Sequence, residues 1–227
     1  MDRRQFLLAT GAAGAALAFP SGLRAQDPTP RPRSAPSFYV DAQGALDGFD
    51  EPEPGRYVPS ERLLAAIRER RIDVISGTIG PVGNGPDRYR DSAEAVASWD
   101  RLIASNPTLL AKIERAADIP AARDSGKLGI IYNFQDTTPF EADASKVDTF
   151  ATLGVKVMQL TYNKRNLAGD GCLERANAGL SDFGRELIAR INANKVLLDL
   201  SHSGQRTVAE GIAAAKRPPA ITHSGCR

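Results

Sequence analysis

"VLLDLSHSG" (Val196–Gly204) and "PPAITHSG" (Pro218–Gly225) are short apolar runs that each end in His-Ser-Gly. His202 and His223 are the only histidines in the 227-residue chain. An apolar run that turns polar at its last residues reads as a strand buried on both faces, with chemistry placed where the chain leaves the sheet. A lone histidine at a strand end is ordinarily structural. Two in the same setting, about twenty residues apart and with no others in the chain, point to one shared site.

Four more runs of the same kind precede them: "SFYVDA" (37–42), "IDVISG" (72–77), "LGIIYNF" (128–134) and "VKVMQL" (155–160). Helical patterns lie between. "SERLLAAIRERR" (60–71) has Ser60 as its cap, and "DSAEAVASWDRLIAS" and "PTLLAKIERAAD" fill the stretch from 91 to 118. "ADASKVDTFATLG" (142–154) ends at a capping glycine, "SDFGRELIARINANK" (181–195) starts at Ser181, and "SGQRTVAEGIAAAKRPP" (203–219) ends at prolines. Strand and helix alternate, which is the pattern of a parallel α/β fold. No glycine-rich phosphate loop follows any strand. The polar residues Asp41, Gln135, Tyr162, His202 and His223 instead gather at strand C-terminal ends, the active-site face of a (β/α)8 barrel. The expected fold is therefore a TIM-type barrel, with about six βα units present.

Composition narrows the function. Apolar residues make up 42% of the chain, enough for a core. A net charge of +2, with arginines scattered among acids, gives no footprint for nucleic acid, and aromatics at 6% leave few platforms for bases. The first residues, "MDRRQFLLATGAAGAALAFPSGLRA", carry Arg3-Arg4 and a weakly apolar Ala/Gly stretch, the form of a twin-arginine export signal. The reading is a signal over 1–25, cleaved after Ala25, and a Pro-rich linker over 26–36. The folded part then covers 37–227, periplasmic or secreted, with no stable membrane span once the signal is removed. An oxidising compartment permits a disulfide between Cys172 and Cys226, and two free thiols fit equally well.

The stretch from 128 to 226 resembles the membrane (renal) dipeptidase family of zinc metallopeptidases. The residues that carry the likeness are "LTYN" (160–163), "NLAGDGC" (166–172), "GLSDFG" (179–184), "DLSH" (199–202) and "PAITHS" (219–224), in the family's order and spacing. The resemblance implies a (β/α)8 barrel with two zinc ions at its mouth and a bridging hydroxide that attacks the amide carbon of a dipeptide. It assigns His202 and His223 as metal ligands. It also places Gln43 and Ala45 where a histidine and an aspartate ligand would stand, Gln135 where a bridging glutamate would stand, and Tyr162 where a substrate-binding histidine would stand.

The expectation is thus a metal-dependent dipeptidase, leaning towards an active enzyme, with a small peptide as substrate and one zinc rather than two. His202 and His223 are the main ligands, Gln135 and Gln43 are weak ones, and Tyr162 is a substrate contact. The alternative is a non-catalytic barrel that binds a peptide or amide. Asp136, Asp47 and Asp50 are considered as substitute ligands. Asp199 reads as a supporting residue, and Arg165 and Asp170 read as part of a solvated loop. Because the family runs on through two further strands, the chain reads as a fragment of a longer product.

Overall fold

The computed structural model describes residues 38–70 and 72–224, so the export signal, the linker and Cys226 lie outside the described residues. Strand β1 (Val40–Gly44) leads into a hairpin, β2 (Phe49–Glu53) and β3 (Arg56–Pro59). There follow α1 (Glu61–Arg70), β4 (Val74–Thr78), α2 (Arg88–Ser105), β5 (Leu110–Lys112), α3 (Asp118–Asp124) and β6 (Leu128–Phe134). A 3₁₀ turn at Thr138–Phe140 precedes α4 (Lys146–Thr152), β7 (Val155–Gln159), α5 (Asp182–Ala193), β8 (Leu197–Asp199) and α6 (Gln205–Ala214).

The sheet runs β1-β4-β6-β7-β8 with every pairing parallel. The path follows chain order with no reversal. That is the order of a barrel, since a doubly wound sheet reverses direction at a switch point. A parallel bridge from Asp199 to Ala220 adds the sixth position, closed by Leu200 N–H to Ala220 O at 2.9 Å and Ala220 N–H to Leu198 O at 2.9 Å. The protein is a parallel α/β barrel of about six units, as the strand and helix alternation indicates. The last run expected as a strand, 219–224, contributes only that bridge.

The strands form because their side chains can be buried on both faces. Val74, Ile130, Tyr132, Val155 and Met158 are each fully buried. Each such side chain contributes about 1.5–3 kcal/mol relative to exposure. Phe134, Phe140 and Phe150 meet edge to face or tilted, with centroids 4.7 to 6.2 Å apart, and pin β6 to the 3₁₀ turn and α4. Helix starts match the sequence. Ser60 Oγ accepts from Leu63 N at 3.2 Å, and Ser181 Oγ accepts from Gly184 N at 3.0 Å. A Cβ at Gly184 would lie 2.1 Å from Ala168 O, so "GLSDFG" needs glycine there for the helix to lie against the preceding loop.

One expectation fails and one element was unforeseen. "PTLLAKIERAAD" is not a helix. Leu110–Lys112 pairs with the first half of β6, and helix resumes only at Asp118. Its helix-like spacing of Leu110 and Ile113 yields to a free edge of β6, which tertiary pairing fills. The β2–β3 hairpin was not anticipated because "FDEPEPGRYVP" is acidic and proline-rich, with few apolar alternations. Asn106 ties it to α2 by donating from Nδ2 to Tyr57 O at 2.9 Å.

Candidate active site at the strand ends

The bridge between Asp199 and Ala220 sets the last two strand ends in register, and this brings the histidines together. The rings of His202 and His223 have centroids 4.8 Å apart. Tyr162, leaving β7, lies over His202 at 4.5 Å with the planes tilted by 33°. His202 sits in the left-handed region with φ 56°, which turns its ring out of the strand.

Hydrogen bonds fix the proton on each ring. His202 Nδ1 lies 2.8 Å from Asn163 Oδ1. An amide oxygen only accepts, so Nδ1 carries the proton and Nε2 presents a lone pair. His223 Nδ1 lies 2.8 Å from Thr222 Oγ1, whose own proton goes to Asp199 Oδ2 at 2.5 Å. That hydroxyl can then only accept from the ring, so Nε2 of His223 is also bare. It is buried with no hydrogen-bond partner among the described residues. Burial, and then the neighbouring His223, hold His202 below the usual histidine pKa. With the proton on Nδ1 and Nε2 bare, each ring presents the lone pair that ligates a metal or accepts a proton.

Asp199 is the organiser. Fully buried, it accepts from Ser201 N at 2.9 Å, Ser201 Oγ at 2.8 Å and Thr222 N at 3.3 Å, besides Thr222 Oγ1. Ser201 Oγ in turn accepts from His223 N at 3.1 Å.

The other side of the mouth is a net of amides. Gln43 and Gln135 both donate from Nε2 to Thr78 Oγ1, at 2.6 and 2.8 Å. Asn133 Nδ2 donates to Gln43 Oε1 at 2.7 Å, and Gln159 Nε2 donates to Gln135 O at 2.5 Å. Asn133 Oδ1 and Gln159 Oε1 are buried acceptors without partners among the described residues. The structure thus joins His202, His223 and Tyr162 in one group and Gln43 with Gln135 in another.

Of the substitute ligands, Asp136 is committed elsewhere and the other two are exposed. Asp136 accepts from Gly83 N at 2.5 Å and Thr138 Oγ1 at 2.6 Å. Ala45, Asp47 and Asp50 are exposed, Asp50 on the hairpin. The solvated-loop reading holds for the exposed Arg165 and needs correction for Asp170. Asp170 is buried, paired with Arg165, and accepts from Ala178 N at 2.5 Å. The loop after β7 is folded around it. Cys172 is exposed, and Cys226, the other half of the possible disulfide, lies outside the described residues. Asn163, Thr222 and Thr78 were not singled out in the sequence. Asn163 and Thr222 lay inside the stretches that carry the family likeness, without a role read for them, and Thr78 had only its place at a strand end.

Residues 67–227 match the family model described as membrane dipeptidase, peptidase family M19. The chain belongs to the membrane dipeptidase family. Residues 1–20 match the twin-arginine translocation signal, and no helix among the described residues is long and apolar enough to cross a membrane. A Schizosaccharomyces pombe protein named as a dipeptidase is 27% identical over 140 residues, 60% of this chain and 34% of that one. An amidohydrolase from Pseudomonas aeruginosa superposes with a TM-score of 0.72 at 32% identity, over 82% of this chain and 53% of that one. A Rhodobacter sphaeroides metallopeptidase, solved with a phosphinate mimic of L-Ala-D-Ala, has the same fold, with a TM-score of 0.62 at 15% identity over 82% of this chain and 65% of that one. The chain spans about a third of the curated relative and about half of the amidohydrolase.

The family is metal-dependent, which tests the residues present. Among the described residues, no three of His, Cys, Asp and Glu come together in a way that could hold an ion. Zinc sites use three or four protein ligands. The two bare Nε2 atoms fit half of a one-ion site. The amides at Gln43 and Gln135, with Ala45 beside them, do not fit a second ion.

Proposed function

We propose that this chain belongs to a dipeptidase-type hydrolase of barrel fold that acts in the periplasm after export. The mature chain then begins after Ala25, with 26–36 as a tether. The observation that carries the reading is the pair of imidazoles, each tied back at Nδ1 and bare at Nε2. Metal-binding histidines are oriented in this way, by a second hydrogen bond on the far nitrogen. Bound there, a single zinc would supply Lewis acidity towards a peptide carbonyl. The chain's own part is to hold the two lone pairs side by side, to cover one face with the Tyr162 ring, and to offer that phenol to the substrate. Gln135 is the weak third donor.

A second reading has its own support. The amide net of Gln43, Gln135 and Asn133 fills family ligand positions with groups that bond one another, and it leaves buried carbonyl acceptors at Asn133 and Gln159. That arrangement suits a barrel that binds a peptide amide without cleaving it.

Metal content and turnover separate the two. The full chain, purified without chelators, is examined by elemental mass spectrometry and then given a panel of dipeptides including L-Ala-D-Ala. About one zinc per chain, lost in His202→Ala, together with hydrolysis, supports the hydrolase. Dipeptide binding by calorimetry with neither metal nor turnover overturns it in favour of the binding barrel.

A further inference from the structure

Two cavities of about 360 Å³ each open beside the mouth and share Asn84, Thr138 and Asn166 as a common wall. The nearer is lined by Tyr162 and Asn163, two of the residues that touch the His202 ring. The farther is lined by Arg88, Glu141 and Leu167.

Most polar groups on these walls are occupied by the protein. Asn166 donates to Leu160 O at 2.8 Å and Thr137 Oγ1 at 3.1 Å, and accepts from Ala168 N at 2.9 Å. The Thr138 hydroxyl goes to Asp136. Glu141 is paired with Lys146 and accepts from Tyr89 N at 3.4 Å; Lys146 holds its carboxyl below the usual range. Its charge is balanced and the start of α2 is covered.

Lys164 on the nearer wall is exposed and makes no ion pair among the described residues, and Arg88 is the unpaired cation of the farther wall. Its single hydrogen bond runs from Nη2 to Asn84 O at 3.1 Å, and it forms no ion pair among the described residues. Its Nε is buried without a partner. A Cβ on Gly85 would fall 2.4 Å from Nη2 and 2.6 Å from Cζ, so the guanidinium is held flat beneath that glycine backbone. A fixed guanidinium with unfilled donors, on a cavity wall whose one carboxylate is already paired, is matched by a carboxylate in the two-pronged geometry arginine favours.

We propose that Arg88 anchors a carboxylate of a peptide that lies along this groove, running out from the wall formed by Tyr162 and His202. The favoured ligands are then peptides with a negative charge beyond the amide at the mouth, carried by the C-terminus or by an acidic side chain. This deepens the peptide reading of the mouth and rests on it.

Calorimetry on the full chain tests the anchor without requiring turnover. The probes are Ala-Ala-Ala, its C-terminal amide, and the same amide with Glu as last residue. Amidation is expected to weaken binding about ten-fold, the scale of one charge-assisted hydrogen bond. Arg88→Gln should erase that difference while leaving the neutral amide's affinity unchanged, and Arg88→Lys should restore part of it. Recovery by the Glu-containing amide assigns the charge to a side chain, and no recovery assigns it to the C-terminus. Equal binding of acid and amide in the unmodified protein overturns the anchor while the peptide reading stands. If no peptide binds but millimolar propionate still shifts the NMR signal of the Arg88 Nε–H, the peptide reading fails and the anchor stands. If propionate leaves that signal in place, both fail.

Discussion

Asn163 and His202 meet at 2.8 Å, and both hold left-handed backbone, with φ of 57° and 56°. Each conformation places a side chain at the mouth that an extended strand would carry past it. Asparagine tolerates this backbone better than most residues, whereas alanine would cost about 1–2 kcal/mol there. Asn163→Ala is expected to lower stability by that amount and to free the His202 ring. Asn163→Gly relieves the backbone and removes only the hydrogen bond. Zinc retention should fall about 10-fold in both, the scale of losing an orienting partner. Chelator competition and urea unfolding on the two variants separate orientation from strain.

Asp199 sets the other histidine. Four hydrogen bonds from Ser201 and Thr222 converge on its carboxylate inside the core. Asp199→Ala would leave buried N–H and O–H groups unpaired, a loss on the order of 3 kcal/mol. It would also free the Thr222 hydroxyl to donate to His223, which would move the proton to Nε2. Urea denaturation should report the stability loss, and the nitrogen-15 shifts of His223 should report the change of tautomer.

What the sequence made legible follows from the same physics. Parallel strands buried on both faces are continuous apolar runs, so β4, β6, β7 and β8 stood out with boundaries close to those observed, whereas the part-exposed β1 was placed too early. The edge segment Leu110–Lys112 did not stand out, because its partner β6 lies outside its own window. The histidines were legible through their rarity. Their orienting partners were not, since Asn163 and Thr222 act through backbone angles and a proton direction that composition does not carry. Arg88 was hidden for another reason. It is one of many arginines, several of them without an ion pair among the described residues, and what distinguishes it is a buried Nε without a partner on a cavity wall.

Glu210 ties α6 to the entry of α5. It accepts from Arg206 Nε at 2.7 Å, Arg185 Nη2 at 2.8 Å and Leu180 N at 3.0 Å. The hydrogen bond from Arg206, and then that from Leu180, hold its pKa below the ordinary 4.5. A carboxylate lowered on folding binds fewer protons in the folded chain than in the unfolded one at acidic pH. Its stabilising effect is therefore complete above about pH 4.5 and is lost as pH falls through the folded value. Glu210→Gln should be less stable than the unmodified protein at pH 7, and the gap should close towards pH 3. Thermal melts across that range check the sign, and a gap that widened on acidification would reject this role for Glu210.

Gln135 offers the most direct probe of the mouth. Its amide donates to Thr78 Oγ1, which also receives Gln43. A carboxylate at this position could accept from the same hydroxyl once that group rotates, so Gln135→Glu should fold normally. The change adds a charged oxygen ligand at the position the family resemblance assigns to the bridging glutamate. Zinc affinity is expected to rise about ten-fold or more, since even outer-sphere partners move metal affinity on that scale. The gain should vanish in a variant that also carries His223→Ala, because a lone imidazole and a carboxylate fall below the three ligands zinc requires. Competition against a zinc-sensitive dye measures both variants. An unchanged affinity would mean that position 135 does not face the two imidazoles, and the weak third donor would have to be sought elsewhere on the mouth.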